Sequence, residues 1–469
     1  MCERAIRGTV KRMLKLFAVG LLTANVLSPP APTLTWGECP GGPGSVGIEC
    51  ATLKVPVDWD RPNGRQLTLT IGRLRSTAAE PKGSVLVNFG GPVGISIDLM
   101  RKYGGGESFA GLRQKVDIVT WDLRGGPNAP GLSTNLPCDW TGARIPSLPR
   151  NQAEFDRLAA TNRAAAERCQ VKDPELFGAM DSATHARDAD AIRQALGEQQ
   201  TSFYGASYGG FIGQAYAQLF PRRVRAMVLD GTWNHSAADW DHELPLLARD
   251  VQSYVIRFFD WCRTQGHCPN APALWQRVMA RAPLPAGAVK YSADDIRYQA
   301  VALARVASYS RLAAALEKAA RTGDASGFVP DPPNAPYATT ASPGVVECTD
   351  WPHPADQRQL MRQVRRMRAA APYIGAVATI EQAMLSCVGW PIPVRNRPAA
   401  LPDGLPPLLM AGNWSEFQAA SRVVDQVPGS GSIYHDGPGH TLYQFNACAR
   451  GKIDAYLADL VVPEPGTRC

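Results

Sequence analysis

Ser207 lies in Tyr204-Gly205-Ala206-Ser207-Tyr208-Gly209-Gly210, a G-x-S-x-G run. A serine with glycines two residues before and two after suits a sharp strand-to-helix turn, where the backbone is strained and Oγ is exposed. A Cβ at either glycine would meet the neighbouring strand or helix. The chemistry implied is nucleophilic: such a hydroxyl, activated by a base, attacks an acyl carbon and forms a covalent intermediate. The expected base is His440, in the glycine turn Asp436-Gly437-Pro438-Gly439-His440. Among the seven histidines it alone follows the last strand-like run and its loop, in keeping with the chain order serine, acid, histidine. His435 falls inside that strand run. His185, His235, His242, His267 and His353 come earlier in the chain and read as structural. An oxyanion hole needs two backbone N–H groups aimed at one point. Tyr208, directly after the serine, supplies one, and Gly91 in the loop Phe89-Gly90-Gly91-Pro92 is expected to supply the other.

The elements needed to hold these groups are present around them. Gln200–Tyr204 reads as a short buried strand and Phe211–Phe220 as a helix stopped by Pro221. Gln66–Gly72 alternates as a half-buried strand. Ser84–Phe89, Val116–Trp121 and Val224–Leu229 are apolar runs suited to central parallel strands. Ala186–Leu196 reads as a helix. This alternation predicts an α/β fold, a mostly parallel sheet covered on both faces by helices. From about 235 to 400 the strand signals fade and helical spacing dominates, at Tyr254–Trp261 and across Ile296–Ala320. Sheet rhythm returns at Leu408–Gly412 and Ile433–His435. The expected organisation is a core made of 34–234 and 401–469, interrupted by a helical cap over 235–400.

The 469 residues carry a formal net charge of +7. Arg4, Arg7, Lys11, Arg12 and Lys15 against Glu3 concentrate +4 of it in residues 1–28, so the body is close to neutral and gives no case for a nucleic-acid partner. That basic stretch precedes an apolar run, Leu16–Leu27. Together they predict a secretory signal peptide, with residues 1–33 as signal and lead-in. The run is short for a membrane span, so no stable membrane insertion of the body is expected. Ten cysteines beyond Cys2, none in a C-x-x-C pair, predict a disulfide framework and an extracytoplasmic location. Pairing of sequence neighbours gives Cys39–Cys50, Cys138–Cys169, Cys262–Cys268, Cys348–Cys387 and Cys448–Cys469.

The chain resembles the tripeptidyl-aminopeptidase and proline-iminopeptidase branch of the α/β-hydrolases, with a TAP-like C-terminal segment. The resemblance rests on Cys50–Asp58, Asn88-Phe89-Gly90-Gly91-Pro92, Asp122-Leu123-Arg124-Gly125, Gly205–Gly210, Met227–Gly231, Phe258–Cys262 and Gly437-Pro438-Gly439-His440, with Cys448 and Cys469 similar to the family's terminal pair. It implies an α/β-hydrolase fold and a secreted serine hydrolase that uses no metal or cofactor. The implied reaction is cleavage of amide bonds near a peptide N-terminus through an acyl-enzyme. An esterase or small-molecule amidase on the same scaffold, and a catalytically impaired binding protein, are the competing readings. Either enzyme would take a peptide or small acyl substrate.

Two departures from the family pattern stand out. Val93 replaces the last glycine of the usual G-G-P-G loop, and Ser415 stands where the family has its triad aspartate, in Gly412-Asn413-Trp414-Ser415-Glu416. Serine cannot supply the charge that holds and stabilises the imidazolium. Glu416, one residue on, is the expected acid. Asp230, at the end of the strand before the cap, is the alternative, and a site without an acid is the third possibility. An aminopeptidase also needs an anion for the substrate ammonium, for which Glu243 and Glu347 are the candidates.

Overall fold

In the computed structural model, residues 34–42, 47–91, 95–104, 108–125, 148–266, 268–329, 343–375 and 384–469 are described. Twelve strands occur in chain order among them: β1 (Gly37–Glu38), β2 (Glu49–Pro56), β3 (Gln66–Leu74), β4 (Ser84–Asn88), β5 (Asp117–Trp121), β6 (Thr201–Ala206), β7 (Val224–Asp230), β8 (Leu284–Ala286), β9 (Val289–Tyr291), β10 (Leu409–Asn413), β11 (Gly431–His435) and β12 (Thr467–Arg468). Ten form one sheet in the order β1-β2-β3-β5-β4-β6-β7-β10-β11-β12. β1, β2 and β3 pair antiparallel, and β3 joins β5 antiparallel. From β5 onward every pairing is parallel. β4, β6 and β10 are buried along their whole length, as strands covered on both faces must be.

One apolar layer gathers Leu86, Trp121, Phe203, Ile212 and Met410 on one face of the sheet. A second gathers Val85, Tyr204, Val228, Ile433 and Tyr456 on the other. The parallel strands β4, β6, β7, β10 and β11 lie side by side, so their carboxyl ends share one edge. This is where α/β sheets bind ligands, and every candidate catalytic residue lies at or just beyond such an end.

Between β7 and β10 the described chain is mostly helical. It contains the helices Trp240–Gln265, Ala271–Arg281, Ala293–Arg305, Tyr309–Thr322, Pro343–Asp350 and Gln357–Ala370. It also holds the β8–β9 hairpin, which the sequence reading missed because three-residue strands carry no periodicity. The apolar spacing over Ile296–Ala320 is split into two helices at Ala307, whose φ is +53°. There the N–H of Ser308 turns back to the carbonyl of Leu303. The insertion builds its own core around Phe258, Trp275, Leu312 and Val364, and Trp414 and Ala419 beyond β10 also belong to it. Among the described residues no helix is long and apolar enough to cross a membrane.

Disulfides join Cys39–Cys50, Cys262–Cys268, Cys348–Cys387 and Cys448–Cys469. Cys169 is also disulfide-bonded, but its expected partner Cys138 lies outside the described residues. So do the signal and lead-in, His267 and Val93. A disulfide set of this kind fits an oxidising, extracellular setting.

Candidate active site

Ser207 occupies the turn between β6 and the helix Gly209–Leu219 with φ +55°, a conformation that costs a non-glycine residue about 1–3 kcal/mol. The strain is held from both sides. Ser207 donates its N–H to the carbonyl of Asp230 (2.8 Å) and accepts from Gly210 N–H (3.0 Å). The flanking glycines are needed for close approach. A Cβ on Gly205 would stand 2.3 Å from the carbonyl oxygen of Gly209, and one on Gly209 would stand 2.7 Å from that of Asn88.

The loop after β4 packs directly on this turn. Asn88 Oδ1 accepts the N–H of Gly90 (3.0 Å). Gly90 and Gly91 have φ +90° and +118°. A Cβ on Gly90 would lie 2.6 Å from the Ala206 carbonyl oxygen and 3.3 Å from the backbone N of Tyr208. The structure therefore packs Gly90 against the turn that carries the Tyr208 N–H. Tyr208 is fixed by its phenol, 2.9 Å from His185 Nδ1. Burial, with Arg124 nearby, pushes His185 down to about 3, so it is a neutral partner. Arg124 itself is fully buried. It grips both carboxylate oxygens of Asp188 (2.7 and 2.5 Å) and the carbonyls of Val57 and Pro56, tying β2 to the helix Ser182–Ala195.

Glu416 lies in the first turn of the helix Trp414–Val424, which starts directly after β10 rather than after an intervening loop. Trp414 has φ +29° at this junction. The third position of a helix aims its side chain back over the amino end, where the helix dipole favours a carboxylate. Glu416 is 2% exposed and its Oε1 lies 2.7 Å from Nδ1 of His440. Ser415 is buried beside it. His440 is much more open, with 41% of its side chain exposed. Thr441 follows it with φ +62°, so three of the five positive-φ non-glycine residues among those described, Ser207, Trp414 and Thr441, flank the site.

Asp230 has partners of its own. It is fully buried and accepts from the N–H of Leu442 (2.8 and 2.9 Å), the N–H of Tyr443 (2.9 Å) and the phenol of Tyr204 (2.7 Å). With its carbonyl on Ser207 N–H, it joins the serine turn to the segment carrying His440. Burial raises its carboxyl to about 6 against these hydrogen bonds. A second clamp sits on the other side of the loop. Asp436 accepts from Trp414 Nε1 (3.1 Å), Tyr434 Oη (2.9 Å) and Arg257 (3.1 Å), and Arg257 also lies over the Trp414 ring. His435 faces away, with Nδ1 3.1 Å from the Cys469 carbonyl.

The two candidate ammonium ligands differ in their surroundings. Glu243 is buried against Arg422 (2.7 Å), which also holds Asp250 (2.7 Å), so its charge is already met within the chain. Glu347, on the helix Pro343–Asp350, keeps part of its side chain open yet is so densely surrounded that burial alone lifts its carboxyl to about 8. With burial and the neighbouring Asp350 and Asp181, it holds the Tyr208 phenol well above its ordinary range. At the end of the same helix, Trp351 packs edge-on against Phe211 (5.2 Å), four residues after the serine. Arg305 was missed by sequence reasoning. Its guanidinium donates to the Glu416 oxygen that faces His440 (3.0 Å), and nothing in the sequence marks one arginine among the many of the insertion.

The family model of the α/β-hydrolase fold matches residues 109–321, and that of the TAP-like protein matches 371–469. Serine protease Hip1 of Mycobacterium tuberculosis is 27% identical over 468 residues, covering 90% of this chain and 87% of that protein. Tripeptidyl aminopeptidase of Streptomyces lividans is 27% identical over 441 residues, covering 87% and 81%. Carboxylesterase B of Mycobacterium tuberculosis is 26% identical over 475 residues, covering 94% and 90%. With its mostly parallel sheet and its serine turn at the carboxyl edge, the chain has the α/β-hydrolase fold and is a serine hydrolase, similar to the TAP-like proteins over its C-terminal segment.

Proposed function

We propose that this protein is an exported serine exopeptidase that cleaves amide bonds near the free N-terminus of peptides, with Ser207 as nucleophile, His440 as base and Glu416 as acid. The observation that carries the reading is the 2.7 Å contact between Glu416 Oε1 and His440 Nδ1, made by a buried carboxylate. Glu416 fixes the tautomer with Nδ1–H, which leaves Nε2 free to take the Ser207 proton as Oγ bonds to the substrate carbonyl carbon. The carbonyl oxygen becomes an oxyanion received by the N–H groups of Tyr208 and Gly91. His440 then gives its proton to the leaving amine as the C–N bond breaks, and water releases the acyl group by the same steps in reverse. Glu416 stays ionised throughout and stabilises the imidazolium.

Glu347, rather than Glu243, is the proposed anchor for the substrate ammonium, because Glu243 is neutralised by Arg422. A carboxyl held near 8 by desolvation ionises when a cation arrives beside it. The relatives named as a serine protease and a tripeptidyl aminopeptidase support the peptidase reading, and the disulfides support export. A relative named as a carboxylesterase keeps the ester reading in view. The test is a panel of p-nitroanilides of amino acids, dipeptides and tripeptides, each with free and N-acetylated amino ends, against p-nitrophenyl esters. A peptidase guided by Glu347 prefers free amino ends. Turnover of esters alone would overturn the reading.

A further inference from the structure

The oxygen of Glu416 that faces His440 is shared. Arg305, the last residue of the helix Ala293–Arg305, donates to the same Oε1 at 3.0 Å. The partners differ in character: Glu416 is nearly sealed, with 3% of its side chain exposed, while 41% of Arg305 reaches solvent. Two residues on, the left-handed Ala307 breaks the helix and fixes where Arg305 leaves it. Before proton transfer His440 is neutral, so it does not balance the charge of a buried carboxylate, and such a charge without a partner is costly. The Arg305 guanidinium at 3.0 Å meets that cost.

The remaining groups do not take its place. From the helix Trp240–Gln265 come Tyr254, which carries no charge, and Arg257, which is committed to Asp436 and Tyr434. Glu243 and Asp250 on that helix hold Arg422 of the acid-bearing helix itself. From β11 come Tyr434, bound to Asp436, and His435, turned to the Cys469 carbonyl.

We propose that Arg305 is a positioning residue for the triad acid: it holds the register-shifted Glu416 carboxylate ionised beneath His440 and moderates the hold of that carboxylate on the imidazolium. This rests on the reading of Glu416 as the acid. The glutamate that replaces the missing aspartate at 415 is thereby secured from the insertion, and the base strength of His440 depends on the insertion being seated. With Arg305 present, the imidazolium gives up its proton at lower pH. Without it, the bare pairing with Glu416 tightens and the imidazolium persists to higher pH.

The experiment is the pH dependence of kcat and kcat/KM for p-nitrophenyl butyrate hydrolysis by the full chain. It compares the wild type with Arg305→Met, Arg305→Lys and Glu416→Gln, with folding checked by circular dichroism. Arg305→Met is expected to move the acid limb of kcat/KM upward by about half to one pH unit, given a half-exposed cation, and to lower kcat about three- to tenfold with little change in KM. Arg305→Lys is expected to keep the limb near its wild-type position. An acid limb unmoved in Arg305→Met, whether kcat is unchanged or uniformly lower, while Glu416→Gln collapses, overturns the role of Arg305 and leaves the triad reading standing. A Glu416→Gln variant with wild-type turnover overturns the triad reading itself.

Discussion

Asparagine at position 230 keeps the volume of a fully buried side chain and removes its charge. Asp230 accepts three donors: the N–H groups of Leu442 and Tyr443 and the Tyr204 phenol. Asparagine offers one oxygen, so at least one donor is left facing an NH2 group. A lost hydrogen bond to a charged acceptor costs about 1.5–3 kcal/mol, and two such losses about 3–6 kcal/mol. Against this stands the burial of the charge. A carboxyl raised from 3.8 to about 6 is held protonated in the folded state while the unfolded chain has released its proton. Its contribution to stability is greatest below 3.8 and is lost as pH rises through about 6. Above that it leaves a deficit of about 3 kcal/mol, at about 1.4 kcal/mol per unit. With two bonds lost, the net expectation for Asp230→Asn at pH 8 is a destabilisation of about 0–3 kcal/mol, with a loss of the stability change between pH 4 and 6. Urea unfolding of both proteins at pH 4.5 and 8 measures this. Turnover of the folded Asp230→Asn protein should fall moderately, because the segment behind His440 loosens. If stability is untouched while turnover drops by four orders of magnitude, Asp230 is the acid and its bracing role is refuted.

Other outcomes follow from the same geometry. Ser207→Ala should abolish covalent labelling by a fluorophosphonate, and His440→Ala should lower turnover about a thousandfold or more. Labelling of the alanine variant would remove Ser207 from the mechanism. Gly90→Ala forces a Cβ to 2.6 Å from the Ala206 carbonyl oxygen and 2.8 Å from Ser207 Cβ at φ +90°. Turnover should drop by at least about a hundredfold, as for loss of an oxyanion donor, and an active variant would remove this loop from the site. Glu347→Gln should raise KM for free-amino peptide anilides by about tenfold or more and leave N-acetylated ones unchanged. In the wild type, KM for the free-amino substrates should fall as pH rises toward about 8, because ammonium binding requires the ionised carboxyl. A KM independent of pH and of residue 347 would dismiss this anchor.

Much of the site could be read from the sequence because its signals are local. The Ser207 turn is encoded within five residues whose glycines are demanded by backbone contact. The central strands are apolar runs with no alternation to misread, and His440 follows from chain order. The antiparallel edge formed by β1 and β2, and the helices Gln152–Gln170 and Ala447–Asp459, were not read from the sequence. The helix Ala447–Asp459 has almost no apolar periodicity, so its helical form shows little in the pattern. Two relations were out of reach because they are tertiary. Glu243 and Glu347 look alike in sequence, and only the position of Arg422, 179 residues from Glu243, separates them. Arg305 meets Glu416 across 111 residues, through a helix break at Ala307 that no glycine or proline announces.

The most direct test of the central claim is the turnover of Glu416→Gln, compared with wild type at matched folded fraction on the best p-nitroanilide or ester of the panel. An imidazole whose Nδ1 faces an amide loses both its preferred tautomer and the stabilisation of its charge. Turnover should therefore fall by about two to four orders of magnitude while fluorophosphonate-accessible Ser207 and the fold are retained. A Glu416→Gln protein that turns over at the wild-type rate would contradict the assignment of the acid at the centre of this site.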